Sequence, residues 1–463
     1  MLRRLMRRSA VICLVFLGCA NHAERAVALY ETGDFAGAAR AADAELAAHP
    51  GEDALWQMRV RAALAQGDAA GVAKTYAAYR ARLEGNDDRE LLRDLAIATL
   101  GQALASPSAK LKIAAIEAVE AAELEPLAQQ VAQRLRDDDD RVIAAAAVAV
   151  LHGDPSAPDA IGDMLHSEDP EARRIAIDGI GKKVGKVAVS VLEQAAGDGD
   201  PRVRRAALRW LGQLRDPDAV GALTQRLGDP DEAVRAAAAS ALARIGVGNL
   251  AELGRRALGD PALAVRLAGV ELLVAAHDRA GLAALADDRD PLVATEAAIA
   301  GGGGAPAARA VERAATAGAW AVRAGAANLA VRALGKAAAI ALARKLAADP
   351  EVAVRLAAAR VLAHGGDAPA AAAVFAAALA SPDAARHHLD AAVDLAMQDD
   401  ARGLQALDDL VRDPARGSAA RAAAAAAHRA ARRITPGLVA ALADDSGVVR
   451  VEAATALALL TRH

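Results

Sequence analysis

The chain contains few aromatic residues and few cysteines. Its 463 residues include three each of Phe, Trp and Tyr, so aromatics make up 2% of the sequence, whereas hydrophobic residues as a class make up 54%. The apolar content is therefore mostly Ala, Leu and Val. Ala is the strongest helix former, and the scarcity of aromatic strand formers disfavours a sheet-rich fold. The composition predicts an all-α protein whose core consists of many small contacts.

A basic surface and a disulfide framework are also missing. The net charge is −4, and four of the positive charges, at positions 3, 4, 7 and 8, lie at the extreme N-terminus. Nucleic-acid binding needs a basic footprint, so we expect no nucleic-acid partner. The two cysteines are Cys13 and Cys19, and neither has a distant cysteine to pair with.

The N-terminus reads "MLRRLMRRSAVICLVFLGCANHAE", an arginine cluster followed by a short apolar run. The run is too short to span a bilayer and has the layout of a secretory signal. Its end, "LGC", resembles a bacterial lipoprotein signal. The resemblance implies a signal peptide over residues 1–18, acylation of Cys19, and a short tether over 19–28. Alternatives are an uncleaved membrane-associated segment and a plain secreted protein.

One phrase recurs along most of the chain. "DPDEAVRAAAASALARIG" begins at Asp229, and "DPEVAVRLAAARVLAHGG" begins at Asp349. Arginines in the same slot stand 31 residues apart at Arg204, Arg235 and Arg266. About twelve such units fill residues 89–463, each reading as two helices, because Asp-Pro suits a helix start and Gly a helix end. A period sustained this long predicts an α-solenoid.

These units resemble HEAT repeats, in particular the short bacterial repeats named from phycobilisome lyases. The resemblance implies a superhelical stack of antiparallel helix pairs in which Asp and Arg link neighbouring units. It gives that structural ladder to Asp200, Arg204, Asp229, Arg235, Asp260, Arg266, Asp349 and Arg355. It also implies that the second helices line the concave side. Positions such as Ala236, Ala239 and Ala243 would then form a shallow apolar wall. Helix spacing predicts an open column on the order of 100 Å long.

Residues 29–88 do not follow the 31-residue register. Gly33-Asp34 and Gly67-Asp68 each separate two helical stretches, and this segment is similar to tetratricopeptide repeats. It holds most of the aromatic residues that follow the signal. They are either core-filling residues or the lining of a peptide groove.

The repeat pattern weakens over residues 295–306. Thr295 occupies the arginine slot, and four glycines at 301–304 follow, each costing a helix about 1 kcal/mol relative to Ala. We expect a shortened second helix and a hinge there.

No pattern in the sequence predicts catalysis, a metal site or a cofactor. Asp137 to Asp140 could gather a hard cation, but they stand where a turn and a helix cap are expected and no EF-hand spacing follows, so we interpret them as a solvated turn. His387, His388 and Asp390 suggest a metal site, yet adjacent helix residues face different ways. The glycines at 301–304 lack the Lys-Ser/Thr of a phosphate loop. "HGGD" at 364–367 lacks a nucleophile motif elsewhere in the chain.

The sequence therefore predicts a non-catalytic, membrane-anchored scaffold of the bacterial cell envelope that binds protein partners and has no small-molecule substrate. In the lipoproteins that this signal resembles, an aspartate after the cysteine signals retention at the inner membrane. Ala20 stands there instead, so the resemblance implies the outer membrane, facing the periplasm. Two alternatives stay open: a structural envelope component without a specific partner, and a bilin-lyase-like enzyme.

Overall fold

The computed structural model describes residues 22–462, and within that range every regular element is helical. The predicted signal peptide, including Cys19, lies outside the described residues. Four helices form the front segment: α1 (Glu24–Glu31), α2 (Phe35–Ala48), α3 (Asp53–Ala65) and α4 (Ala69–Arg82). Their turns lie at Gly33 and Gly67, which adopt positive φ angles of 86° and 70°. The tetratricopeptide-like character of this segment stays a prediction.

Twelve helix pairs follow, beginning at Arg89. They are α5 (Arg89–Leu104) with α6 (Ala109–Ala122), α7 (Ala128–Gln133) with α8 (Asp140–Ala149), α9 (Ala157–Met164) with α10 (Pro170–Lys183), α11 (Val189–Ala195) with α12 (Pro201–Leu214), α13 (Val220–Arg226) with α14 (Glu232–Ile245), α15 (Leu250–Leu258) with α16 (Leu263–Ala275), α17 (Arg279–Ala284) with α18 (Pro291–Ala300), α19 (Gly304–Ala315) with α20 (Trp320–Leu334), α21 (Lys336–Leu346) with α22 (Val352–Gly365), α23 (Ala368–Ala380) with α24 (His388–Ala396), α25 (Ala401–Arg412) with α26 (Ser418–Ala431), and α27 (Pro436–Ala440) with α28 (Gly447–Leu460). This arrangement is an all-α solenoid.

The helix α14 shows how the sequence sets the limits of one repeat. The side chain of Asp231 accepts a hydrogen bond from the backbone N–H of Val234 and so caps the N-terminus of the helix. Gly246 ends the helix in the left-handed conformation, with φ 78°. Val234 and Leu242 lie on the buried face between these ends, at helical spacing. The buried face contacts the second helices before and after it, so no repeat forms a core alone.

The solenoid closes on itself, which corrects the expectation of an open column. The last second helix, α28, packs against α5 and α6 of the first pair. A guanidinium nitrogen of Arg89 donates to the carbonyl oxygen of Leu460 at 3.3 Å, and Arg462 donates to that of Ala121 at 3.0 Å. One hydrophobic core joins residues 60–146 to residues 392–458 across this seam. The small rotation between successive repeats therefore adds up to one full turn.

The second helices form the inner layer of this ring. Successive second helices pack against each other, with the exception of α22 and α24, whereas most first helices contact mainly their own partner and the adjacent second helix. On the inner side of a curved stack neighbouring elements must approach one another. Lys182 of α10 reaches across α8 to Glu120 of α6, with 3.0 Å between Nζ and Oε1, as the inner side of the bend requires.

The repeat is interrupted where the sequence predicts it. Helix α18 has 10 residues, against 14 in α12 and α14, and ends before Gly301. Gly302, Gly303 and Gly304 all adopt positive φ angles. The hydroxyl of Thr295 donates to the carbonyl oxygen of Pro291 within its own helix, at 2.6 Å, and links no neighbouring unit. Only a small apolar cluster, which includes Val270 and Leu282, lies between the two larger cores on either side.

We predict that this interruption opens more readily than the rest of the ring. Hydrogen exchange at the backbone amides of residues 297–305 should be faster than at 236–244, since a short helix that ends at a run of glycines with positive φ angles unfolds locally at low cost. Equal protection of the two stretches would contradict a hinge.

Candidate interaction surface and its ladder

A charged ladder joins the loops between the two helices of neighbouring repeats. The Nε and Nη2 atoms of Arg235 donate to the two carboxylate oxygens of Asp260, at 2.8 and 3.0 Å. The Nη1 atom of the same arginine donates to the carbonyl oxygens of Asp229 and Pro230, at 2.9 and 3.1 Å. Asp260 in turn accepts from the backbone N–H of Ala262 at 2.9 Å. Each arginine thus fixes its own loop and holds the loop of the next unit.

The same link recurs along the chain. The pairs are Lys112 with Asp137, Arg173 with Asp198, Arg204 with Asp229, Arg235 with Asp260, Arg266 with Asp290, Arg323 with Asp349, and Arg421 with Asp444. Six of the eight residues assigned to the ladder by resemblance lie in these pairs.

Asp200 and Arg355 do not form the link. Asp200 caps α12 and binds the guanidinium of Arg202, and the ladder partner of Arg173 is Asp198, two residues earlier. Where a unit has both residues, its ladder aspartate stands six residues before its arginine. Asp198 stands six residues before Arg204, whereas Asp200 stands only four residues before it. Arg355 donates to the carbonyl oxygens of Asp349 and Pro350. Ser381 lies at the equivalent position of the next unit, so that unit offers no carboxylate.

Burial and hydrogen bonding act in opposite directions on these carboxylates. Hydrogen bonds from Arg235 hold the pKa of the Asp260 carboxyl below its usual range. Burial alone would raise the pKa of Asp229, but hydrogen bonds from Arg204 and from the backbone N–H of Asp231 outweigh it and lower the pKa. A lowered folded-state pKa means that the stabilisation is present above about pH 4 and is lost as the pH falls through the folded value.

The inner wall of the ring carries charged side chains of both signs between apolar ones. One groove of about 310 Å³ spans α6 to α12 and is lined by Glu120, Arg174, Asp178, Lys182 and Trp210 among others. Asp178 accepts hydrogen bonds from Arg174 at 2.5 Å and from the indole Nε1 of Trp210 at 2.9 Å. Such a wall suits a polar or charged partner surface.

A second inner groove, of about 710 Å³, spans α14 to α20. Its lining includes Arg244, Glu271, Glu296, Arg332 and the half-exposed Val274. The expected shallow apolar wall is wrong in part, because Ala239 is completely buried and only Ala236 and Ala243 reach the surface. Ala239 belongs instead to the buried core that α14 shares with its neighbours.

The aromatic residues of the front segment mainly fill its core. Tyr76 and Tyr79 are buried, and their hydroxyls donate to Asp87 and Asp88, each at 2.8 Å. Burial, together with these carboxylates, raises the pKa of both phenols. Trp56 stacks on Tyr79 with 6.1 Å between ring centroids. These three rings favour core filling over a peptide groove.

The acidic run at 137–140 is engaged within the repeats and is not an open cation site. The side chain of Asp137 is almost fully buried and forms ion pairs with Lys112 and Arg134, so its interpretation as a solvated turn residue is wrong. Asp139 caps α8 and binds Arg141, and Asp140 accepts from Ser167 at 2.5 Å.

The adjacent histidines are held apart by different partners. His387 Nε2 accepts from Arg386 at 3.0 Å, and its Nδ1 lies 3.9 Å from Asp390. His388 Nε2 lies 2.9 Å from the carbonyl oxygen of Ser381. The motif at 364–367 is a helix end in which Gly366, not Gly365, takes the left-handed conformation.

Comparison with known proteins supports a HEAT-repeat protein. Residues 157–243 match the family model described as HEAT repeats. No curated protein matches the chain. Within residues 22–462, no single helix has the length and apolar character to cross a membrane, and one bent pair, Ala368–Ala380 with Pro382–Ala396, meets the criteria by length and composition only.

Solved structures are similar to the chain at low identity and low TM-score. Human deoxyhypusine hydroxylase in complex with glycerol is 24% identical, covering 48% of this chain and 90% of that chain, with a TM-score of 0.26. The karyopherin Kap121p bound to the extreme C-terminus of the protein phosphatase Cdc14p is 15% identical, covering 84% of this chain and 47% of that chain, with a TM-score of 0.36. An engineered protein is 20% identical, covering 80% and 94%, with a TM-score of 0.27. The chain spans about half the length of the karyopherin. None of these likenesses carries an argument about function.

We predict that a ladder residue contributes more to stability where it pairs with an oppositely charged side chain of the next unit. Asp229→Ala leaves the buried guanidinium of Arg204 without its carboxylate and should lower the free energy of unfolding by about 2–4 kcal/mol. Arg355→Ala is the matched control, since this arginine binds no carboxylate, and should cost less. Chemical denaturation of both variants measures the difference. Equal losses would contradict a pairing-dependent ladder.

Proposed function

We propose that the chain is a non-catalytic scaffold that binds a protein partner through the inner wall of its ring. The observation that carries this proposal is the inner layer of second helices in a closed ring, which presents mixed charges around one opening. Twelve helices spaced about 9 Å apart enclose a circle about 35 Å across, which leaves an opening of about 25 Å. A helix or an extended segment fits such an opening.

The proposed partner has charges of both signs. Lys182, Arg209 and Arg332 stand beside Glu120, Asp178 and Glu296 on the inner wall, and each of these basic groups is about half exposed. Alternating charges favour one register and one orientation of a partner more than they add to affinity. A structural component without a specific partner is the second candidate. A bilin-lyase-like enzyme is the third, and no residue arrangement described above favours it.

We also propose that Cys19 carries a lipid that holds the ring at the bacterial outer membrane, facing the periplasm. The support is the arginine cluster, the short apolar run and "LGC" in the sequence. Stable attachment needs two or more acyl chains. Helix α1 begins at Glu24, so the tether would be shorter than the predicted residues 19–28.

The inner-wall proposal predicts that partner capture is sensitive to charge on one face only. The double variant Lys182→Glu with Arg332→Glu changes two inner residues, each of which forms an exposed ion pair. Arg255→Glu with Arg344→Glu is the matched control on the first helices α15 and α21, where each arginine also forms one exposed ion pair.

Quantitative crosslinking in cells should recover the wild-type partner at least about tenfold less with the inner variant, since two like-charge contacts replace two attractive ones. The outer variant should recover it normally. Loss with the outer variant alone would place the site elsewhere. Failure of the wild type to enrich any protein would favour a structural component.

The lipid proposal predicts that Cys19→Ser blocks processing and leaves a longer precursor. Mass spectrometry of the wild-type N-terminus should find an acylated Cys19. Normal maturation of the variant, with an unmodified N-terminus at another residue, would replace the lipoprotein by a plain secreted protein.

A further inference from the structure

Two histidines and two glutamates meet where the front segment begins. His22 precedes α1, whereas Glu45 lies near the end of α2 and His49 follows it. The side-chain ligand atoms of His22, Glu45 and His49 lie within 4.8 Å of one another. The Nδ1 atom of His22 lies 3.7 Å from Glu45 Oε2, and its Nε2 atom lies 4.0 Å from Glu52 Oε1.

We propose that His22, Glu45 and His49 bind a divalent transition-metal ion of the zinc type. Imidazole nitrogen and carboxylate oxygen are the donors that such ions accept, whereas calcium and magnesium take oxygen ligands almost exclusively. Glu52 faces the other nitrogen of His22 and would receive its N–H. A carboxylate in that position fixes the tautomer of a metal-bound histidine.

The helical half of the site is held in place before any ion binds. Glu45 and His49 are four residues apart, and the backbone N–H of His49 donates to the carbonyl oxygen of Glu45 at 2.7 Å. The loop that follows is braced from outside. Trp56 Nε1 and Arg82 Nε both donate to the carbonyl oxygen of Pro50, each at 3.0 Å. His49 and Glu52 therefore lie on a supported turn.

One of the three ligand distances is close to what a metal requires, and the other two lie within 4.8 Å. Ligand atoms about 2.05 Å from a tetrahedral ion lie about 3.3 Å apart, so His22 Nδ1 and Glu45 Oε2 need to approach by about 0.4 Å. The two imidazole rings are stacked, with centroids 3.7 Å apart and planes 19° apart. Because a metal lies in the plane of each ligating ring, one ring has to turn on binding. Both histidines are only partly buried, which permits that rotation.

Ion binding would fix the start of the chain to the first hairpin. His22 stands three residues after Cys19, and its ligand partners lie on α2 and the loop after it. The site would therefore hold the segment nearest the proposed lipid against the folded ring. The metal proposal itself does not depend on the lipid or on a protein partner.

Zinc titration of the untagged full chain, followed by calorimetry, tests the site. Cys13→Ser and Cys19→Ser are introduced throughout, so that thiolates do not contribute. We expect one zinc ion per chain, with an affinity that falls at least about tenfold in Glu45→Gln and in His49→Ala, and about tenfold in Glu52→Gln. His387→Ala, in the other histidine pair, is the control and should bind as the parent does.

Glu45→Gln keeps the size of the side chain, so its loss of binding cannot be assigned to unfolding if the circular dichroism spectrum is unchanged. Absence of zinc binding by the parent chain would overturn the proposal. Equal affinity in the parent, Glu45→Gln and His49→Ala would do the same.

Discussion

The structure depends on the contact between its last helix and its first repeat. A helix pair in a solenoid buries its apolar face only against neighbours, so the two terminal units of an open stack need caps. Here α28 supplies that neighbour for α5 and α6, and its residues Val449, Val451 and Leu457 are almost fully buried. Each buried side chain of this size contributes about 1.5–3 kcal/mol. The two ends of the array thus stabilise each other.

The ladder and the apolar packing both hold the ring together, but through different parts of each repeat. Ladder links join repeats through charged groups in the loops, while the helices pack through Ala, Val and Leu. At the seam, Arg450 donates to the carbonyl oxygens of Asp444 and Asp445 and lies beside Ser106, which occupies the aspartate position of the first unit. The seam therefore depends on apolar contacts and on Arg89 and Arg462.

Local features could be predicted from the sequence because they rest on short-range chemistry. The left-handed Gly246 and the shortened α18 follow from residues within one repeat. The predicted Asp-Pro start is wrong for α14, because Asp229 binds Arg204 and Asp231 caps the helix instead. The sequence predicts Asp200 as the ladder residue in place of Asp198, because both aspartates stand a few residues before Arg204. Closure could not be predicted, because it brings together Arg462 and Ala121, 341 positions apart, through a rotation that accumulates over twelve units. The cluster around His22 could not be predicted either, because His22 stands before α1 and meets Glu45 and His49 only through the packing of α1 against α2.

Closure of the ring also limits the size of the partner that the inner wall can contact. An open column presents its concave face to partners of any size, whereas a closed ring admits only what fits its opening. The charged groups of α10, α12 and α20 then surround a partner instead of lining one side of it. The interruption at α18 lies in this inner layer, so its opening would change the shape of the wall.

Intramolecular crosslinking tests closure most directly. With Cys13→Ser and Cys19→Ser as background, Glu123→Cys and Arg462→Cys place thiols on two residues that form an ion pair across the seam. At low protein concentration a short bifunctional thiol reagent should join them in high yield within one chain. Glu123→Cys with Arg309→Cys, in α19 on the far side of the ring, should give little. A low yield for the seam pair, equal to that of the distant pair, would show an open column and contradict the closed ring.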